Sequence, residues 1–227
     1  LVHYESDGNG IIYFGRENEL LAIIAVSDPI KATSAEAIIE KGYDQAVTMT
    51  TDRMLLDVQK TIRTAFFTFL ATGTGTATGA TFQAALAQAW GQLQVKFEDD
   101  AIQSVYFMNP LDVADYLSTA DITLQTVFGM TYVENFIGLG TVFFNSSVPQ
   151  GKIYATAKDN IVLYYVPVNG ADLNEAFSFT TDQTGYIGIH EEPDYTNMTA
   201  SDTVVNGMAL FAERLDGIVV ASISAAG

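Results

Sequence analysis

FLATGTGTATGATFQAALAQAW, residues 69–90, packs three glycines and five threonines between two apolar patterns of helical spacing. Its reading decides the fold, because a glycine-rich loop opening onto a helix is a common phosphate cradle. Both phosphate signatures fail here. A P-loop carries lysine after its last glycine, where the ammonium reaches the phosphates, whereas Gly79 is followed by Ala80 and Thr81. A dinucleotide fingerprint sets its third glycine three positions after its second, and Thr78 occupies that place after Gly75. That fingerprint also follows a strand, whereas this run follows a helical pattern. The run is therefore expected to cap one helix and connect it onward, as a flexible exit.

Upstream, Met54, Leu55, Val58, Ile62, Ala65, Phe66 and Phe69 recur at three- and four-residue steps and predict a helix over about 51–71. Asp52 sits in its first turn, where it complements the helix dipole. About 20 residues rising 1.5 Å each make a rod of roughly 30 Å. Downstream, Phe82, Leu86, Trp90 and Leu93 predict a second helix over about 81–96. A shorter helix is expected from Thr33, which has capping-box spacing to Glu36, up to Gly42. Before it, residues 1–30 read as strands and turns, with SDGNG at 6–10 as a turn and Asp28-Pro29 as the end of the section. QSVYFM (103–108) reads as a strand that meets Asn109-Pro110 and a short helix at 111–118. From about 127 the pattern turns to β. TVFF, KIYATA, NIVLYYVPV, YIGIH, MALFAERL and GIVVASI are strand-like runs separated by Gly, Pro, Asn and Asp. No repeat of fixed period is visible. Helices in the first half and strands in the second predict an α+β architecture.

The totals narrow the function. At 227 residues with 48% apolar side chains, the chain can bury a real core in one large domain or two small ones. Ten basic against 27 acidic residues give a net charge of −17, a field that repels phosphate backbones, and no Lys/Arg cluster offsets it. A direct DNA reader is not expected. There is no cysteine, which excludes disulfides and thiolate metal sites. No apolar run approaches the roughly 18–20 residues that span a bilayer, and no membrane partner is expected. Leu1 follows no basic segment or cleavage signature, so no signal peptide is expected, and a start without Met reads as a processed or partial chain.

No catalytic constellation emerges. His3 and His190 lie far apart, without a partner at ligand spacing, and no EF-hand loop is present, so no metal or other cofactor is expected. Asp99-Asp100 and Glu191-Glu192 could supply an acid and a base, but adjacent acids usually point apart in solvated turns. No serine sits in a nucleophile elbow. The sequons at Asn145 and Asn197 are short patterns with no further support. The aromatic segment Asn160–Val168 reads as core or interface.

The long helix ending in FLATGTGTATG resembles the "spine" helix and glycine–threonine loop of tailed-bacteriophage major capsid proteins, the Hong Kong 97-type fold. SVYFMNPLDVADYL is similar to that family's strand, Asn-Pro and helix unit. VFGMTYVENFIGLGTVFFNSSVPQGKIYAT is similar to its next segment, and ALFAERLDGIVVASI to its closing strands. The resemblance runs from about residue 31 to the end and rests on the order and spacing of short structural motifs. It implies an extended E-loop and N-terminal region over 1–32, with the arm missing or trimmed. A peripheral domain with the spine helix would cover 33–79, a mainly axial domain 80–199, and closing strands 200–227. It further implies a structural protein, not an enzyme, that assembles with itself into pentamers and hexamers of an icosahedral head enclosing double-stranded DNA. The expected partners are further copies, scaffold, portal and decoration proteins, and packaged DNA by nonspecific contact only. Such a subunit assembles in the bacterial host cytoplasm and resides in the virion. Some members weld neighbours through a Lys–Asn isopeptide bond helped by a Glu. Lys31 and Lys41 are the lysines near the extended region, no such trio is recognisable, and noncovalent assembly is expected. An encapsulin-type nanocompartment shell is the alternative on the same fold. From a different class, a soluble carboxylate-based hydrolase would require Asp99, Asp100, Glu191 or Glu192 to converge in a cleft.

Overall fold

The computed structural model describes residues 3–6, 12–16, 19–22, 30–98, 101–120, 123–127, 130–168, 170, 175 and 177–224, with backbone alone up to residue 30. Three short strands, β1 (His3–Ser6), β2 (Ile12–Arg16) and β3 (Glu19–Ala22), pair antiparallel in that order. Most of SDGNG, and Asp28-Pro29, lie outside the described residues. β4 (Ile30–Ser34) leads into α1 (Ala35–Lys41). The cap of α1 is Ser34, whose Oγ accepts from the Ala37 N–H, and not the expected Thr33. Thr33 stays in the strand, buried, with its hydroxyl 2.9 Å from that of Thr50. Gly42, at φ +84°, ends α1 as its spacing predicted.

The long helix is longer than its apolar period suggests. α2 runs from Tyr43 to Leu70, 28 residues, and so begins well before residue 51. Its opening turns hold few apolar residues, and Thr50 and Thr51 satisfy their hydroxyls on the carbonyls of Ala46 and Val47. The glycine–threonine run then departs from expectation. After a turn at Ala71–Thr72, Gly75–Gly79 forms a strand, β5, and not a loose connector. Thr81 caps α3 (Phe82–Lys96) by accepting from the Ala84 N–H. β6 (Ser104–Met108) is followed by a 3-10 turn at Pro110–Asp112 and by α4 (Ala114–Thr119). The single helix expected at 111–118 is thus interrupted at Val113. The strands β7 (Gln125–Val127), β8 (Met130–Phe136), β9 (Gly140–Phe144), β10 (Lys152–Ala157) and β11 (Ile161–Tyr165) follow. β12 (Thr180–Thr181), β13 (Ile187–Asp194), β14 (Thr199–Asn206), β15 (Met208–Ala212) and β16 (Ile218–Ile223) complete the described strands.

The chain divides into two units, Leu1–Arg63 with Leu163–Ala209, and Thr64–Val162 with Leu210–Gly227. In the first unit, β12, β13, β14 and β4 make a four-stranded antiparallel sheet. Met54 and Val58 of α2 pack with Ile187 and Val204 of that sheet. In the second unit a seven-stranded mixed sheet has the order β5-β16-β10-β6-β9-β8-β7. Ala85, Leu86, Ala89 and Leu93 of α3 cover one face, against Tyr106, Met108, Ile153 and Val219. Phe67 and Leu70 meet Phe107, Tyr154 and Ile218 on the other. Alternation along β6 sends Tyr106 and Met108 to one layer and Phe107 to the other. Each fully buried Leu or Ile here contributes roughly 1.5–3 kcal/mol.

Candidate functional site

The sequence-predicted acids do not converge among the described residues. Glu191 and Glu192 are exposed neighbours on β13 and therefore point to opposite faces, while Asp99 and Asp100 lie outside the described residues. His190 is half-buried, edge-on to Phe179 at 6.1 Å, and the side chain of His3 lies outside the description. Among the described residues no group of three His, Asp or Glu is placed to hold a metal, and no helix is long and apolar enough to cross a membrane. Both sequon asparagines are used locally. Asn145 Oδ1 accepts from the Ser147 N–H at 2.8 Å, and Asn197 Nδ2 donates to Asp194 at 2.7 Å. Of the aromatic run, Leu163, Tyr164 and Tyr165 are exposed, while Asn160 and Val168 are buried and Ile161 packs against the core of the second unit.

What the structure brings together instead is a pair of buried polar locks in the second unit. Asn109, in the Asn-Pro step, caps the following turn by accepting from the Leu111 N–H, and its amide donates to the Val148 carbonyl at 2.7 Å. Asp112 accepts from the Gly151 N–H at 2.9 Å, so one short motif fastens both sides of the loop before β10. The second lock centres on Asn160. Its Oδ1 accepts from the Arg214 N–H, and its amide donates to the Arg214 carbonyl and to Thr156 Oγ1. Thr156 Oγ1 in turn donates to the Gly217 carbonyl at 3.0 Å. Arg214 lies over the Phe97 ring and donates to the Lys96 carbonyl, and Lys96 pairs with Asp216 at 3.0 Å. The Lys96 hydrogen bond, with help from Arg214, holds the Asp216 carboxyl below its ordinary range. A Cβ at Gly217 would stand 2.6 Å from the Phe97 ring, so glycine alone fits. Asn109 was legible as a cap before proline. Asn160 was not, because its Arg214 partner lies 54 residues away.

Open surfaces among the described residues include the following three. A cavity of about 480 Å³ in the second unit is lined by Phe66, Phe107, Tyr132 and Phe143, with Glu134 and Lys158 among its polar members. Its aromatic wall is a run of stacked rings, Tyr132 on Phe143 at 5.3 Å and Phe143 on Phe107 at 5.4 Å. In the first unit, α2 turns exposed Met49, Arg53, Leu56 and Lys60 away from the side carrying Met54 and Val58. At the β13–β14 turn, Tyr195 and Met198 are exposed while Asp194 accepts from the Thr196 and Asn197 N–H groups. The Asn197 amide, then those two N–H groups, hold Asp194 below its usual range. Between Lys158 and Arg214 the sequence contains no Lys or Arg, so the second segment of the first unit is uniformly acidic.

No family model matches the sequence, and no curated protein matches it. Solved structures do. The virus-like particle from Pyrococcus furiosus aligns at TM-score 0.55 and 12% identity, covering 97% of this chain and 83% of that one. The holo-SrpI encapsulin complex from Synechococcus elongatus aligns at TM-score 0.56 and 10% identity, covering 99% and 81%. The capsid of an empty GTA particle aligns at TM-score 0.60 and 9% identity, covering 92% and 80%. At these identities the likeness is one of fold.

Proposed function

We propose, for a chain that has the Hong Kong 97-type capsid fold, that it is the major structural protein of a phage head. Copies assemble into pentamers and hexamers that close into an icosahedral shell around double-stranded DNA. The observation that carries this reading is the extent of the likeness: nearly the whole chain, not an isolated motif, superposes on subunits of closed particles. The role is structural, and no catalytic step is assigned to the chain. On this reading the unit of Leu1–Arg63 with Leu163–Ala209 is the peripheral domain, with β1–β3 in its extended loop, and the other unit is the axial domain. Scaffold, portal and decoration proteins would be its further partners, and the virion its destination. The acidity of the chain favours nonspecific, sliding contact with packaged DNA over tight binding.

The encapsulin match, which spans 99% of this chain, favours a second reading as the shell of a protein-filled compartment. Electron microscopy of the purified chain tests what the two share. Closed shells or rings are expected, and a monomer at high concentration would overturn both. The contents of particles recovered from the native source then separate them. Nuclease-protected double-stranded DNA is expected for the head, and a co-purifying enzyme without DNA for the compartment.

A further inference from the structure

Buried carboxylates are nearly always paired or hydrogen-bonded. Asp202 on β14 is neither. It has no exposed surface, and among the described residues neither of its oxygens has a hydrogen-bond partner. Ala200, Asp202 and Val204 are the buried alternate positions of the strand, and Val204 packs with Met54 and Val58 of α2. Asp202 therefore lies on the sheet face that meets the helix. The register sets Glu191 of β13 opposite it on one side and Lys31 of β4 on the other, and opposed residues share a face.

Lys31 is turned elsewhere. Its Nζ stands 3.4 Å from Asp57 Oδ2 of α2, in a pair with substantial solvent exposure of the kind that holds weakly. On α2, Arg53 and Lys60 stand one turn to either side of Asp57 on the same side of the helix, exposed and turned further from Met54 and Val58 than Asp57 is. On β13, His190 alternates to the far side of the sheet, leaving Glu191 as the group beside Asp202. Desolvation first, then repulsion from Glu191, push the Asp202 carboxyl up to about 6.

We propose that Asp202 is a proton-controlled latch between the four-stranded sheet and α2. Neutral, it stays sealed in the layer while Lys31 holds Asp57. Ionised, it draws Lys31 across the strand pair, releases Asp57 and loosens the helix. Among the described residues no other cation lies in register with it, and keeping a bare carboxylate in the layer without one is costly. Because the folded carboxyl sits above its unfolded range near 3.8, proton uptake favours the closed layer. That stabilisation is complete below about pH 3.8 and is lost as pH rises through about 6. The latch does not depend on the shell reading.

Hydrogen exchange of residues 43–63 in the full chain, corrected for intrinsic rates, tests it at pH 5.0 and 7.5. Opening of α2 should be roughly ten-fold rarer at pH 5.0. Asp202→Asn should remove most of that difference, and Asp202→Val should do the same without leaving a buried amide unpartnered. Lys31→Met should steepen the pH dependence, since the ionised carboxylate then has no cation to take. Equal opening of the unsubstituted chain at both pH values would overturn the proposal, as would an undiminished difference in both Asp202 variants. A Lys31→Met profile identical to the parent's would overturn the exchange of partners.

Discussion

At the scale of single residues, two side-chain choices hold the second unit together for reasons its local sequence conceals. Asn160 satisfies both backbone groups of Arg214, so Asn160→Ala leaves a donor and an acceptor without partners. That should cost about 3 kcal/mol. Trp90, the only tryptophan, lies in α3 of the same unit, so its fluorescence through a urea titration measures the loss. Gly79 is fixed by packing. A Cβ there would collide with the backbone of Ala84 and Ala85, at the start of α3. Gly79→Ala should therefore lower the same midpoint by more than an ordinary surface substitution, which stays within about 0.5 kcal/mol. Asp216 adds an acid-sensitive contribution. Its carboxyl is held down by Lys96 and then Arg214, so its stabilisation is present above the ordinary carboxylate range and fades as pH falls through its lowered folded value. Asp216→Asn should flatten that acid limb in a pH series of unfolding midpoints while leaving the slope near neutrality unchanged.

At the scale of elements, helices with a clear apolar period and apolar strands such as KIYATA (β10) and GIVVASI (β16) were legible, whereas strands without an unbroken apolar pattern were not. Phe82, Leu86 and Leu93 announced α3 to within a residue, and Thr81 caps it as the side-chain chemistry requires. Thr81→Ala should cost about 1 kcal/mol, read from the same denaturation curve, because the Ala84 N–H loses its acceptor. β5 was hidden because its flanking glycines and the absence of large apolar residues mask the strand preference of its two threonines. Its extended form is imposed by parallel pairing with β16, from Gly75 opposite Val219 to Gly79 opposite Ile223. β14 was hidden for another reason. TASDTVVN alternates as a strand should, but a carboxylate occupies one of its buried positions, so the apolar pattern breaks at Asp202. The early turns of α2 escaped because threonines interrupt the period there. In the candidate site, the Asn109 cap could be read from its place before proline, whereas the Asn160 lock closes between segments the sequence keeps far apart.

At the scale of the whole molecule, a net charge of −17 opposes bringing many copies together. On the proposed shell reading, assembly should therefore strengthen with salt. Sedimentation at about 0.01 M salt, where the Debye length is about 30 Å, should show a smaller assembled fraction than at about 0.5 M. An unchanged fraction would mean that subunit contacts already pair the charges. The order of the seven-stranded sheet has a separate consequence, in time. β16 is the last of the described strands to be synthesised, yet it lies between β5 and β10 and joins them. Until residue 223 has left the ribosome, β5 and α3 wait beside an unfilled slot. At roughly 5–20 residues per second this interval lasts for seconds, during which no copy offers a finished surface to another. The position of one late strand thus makes its own emergence a checkpoint on association.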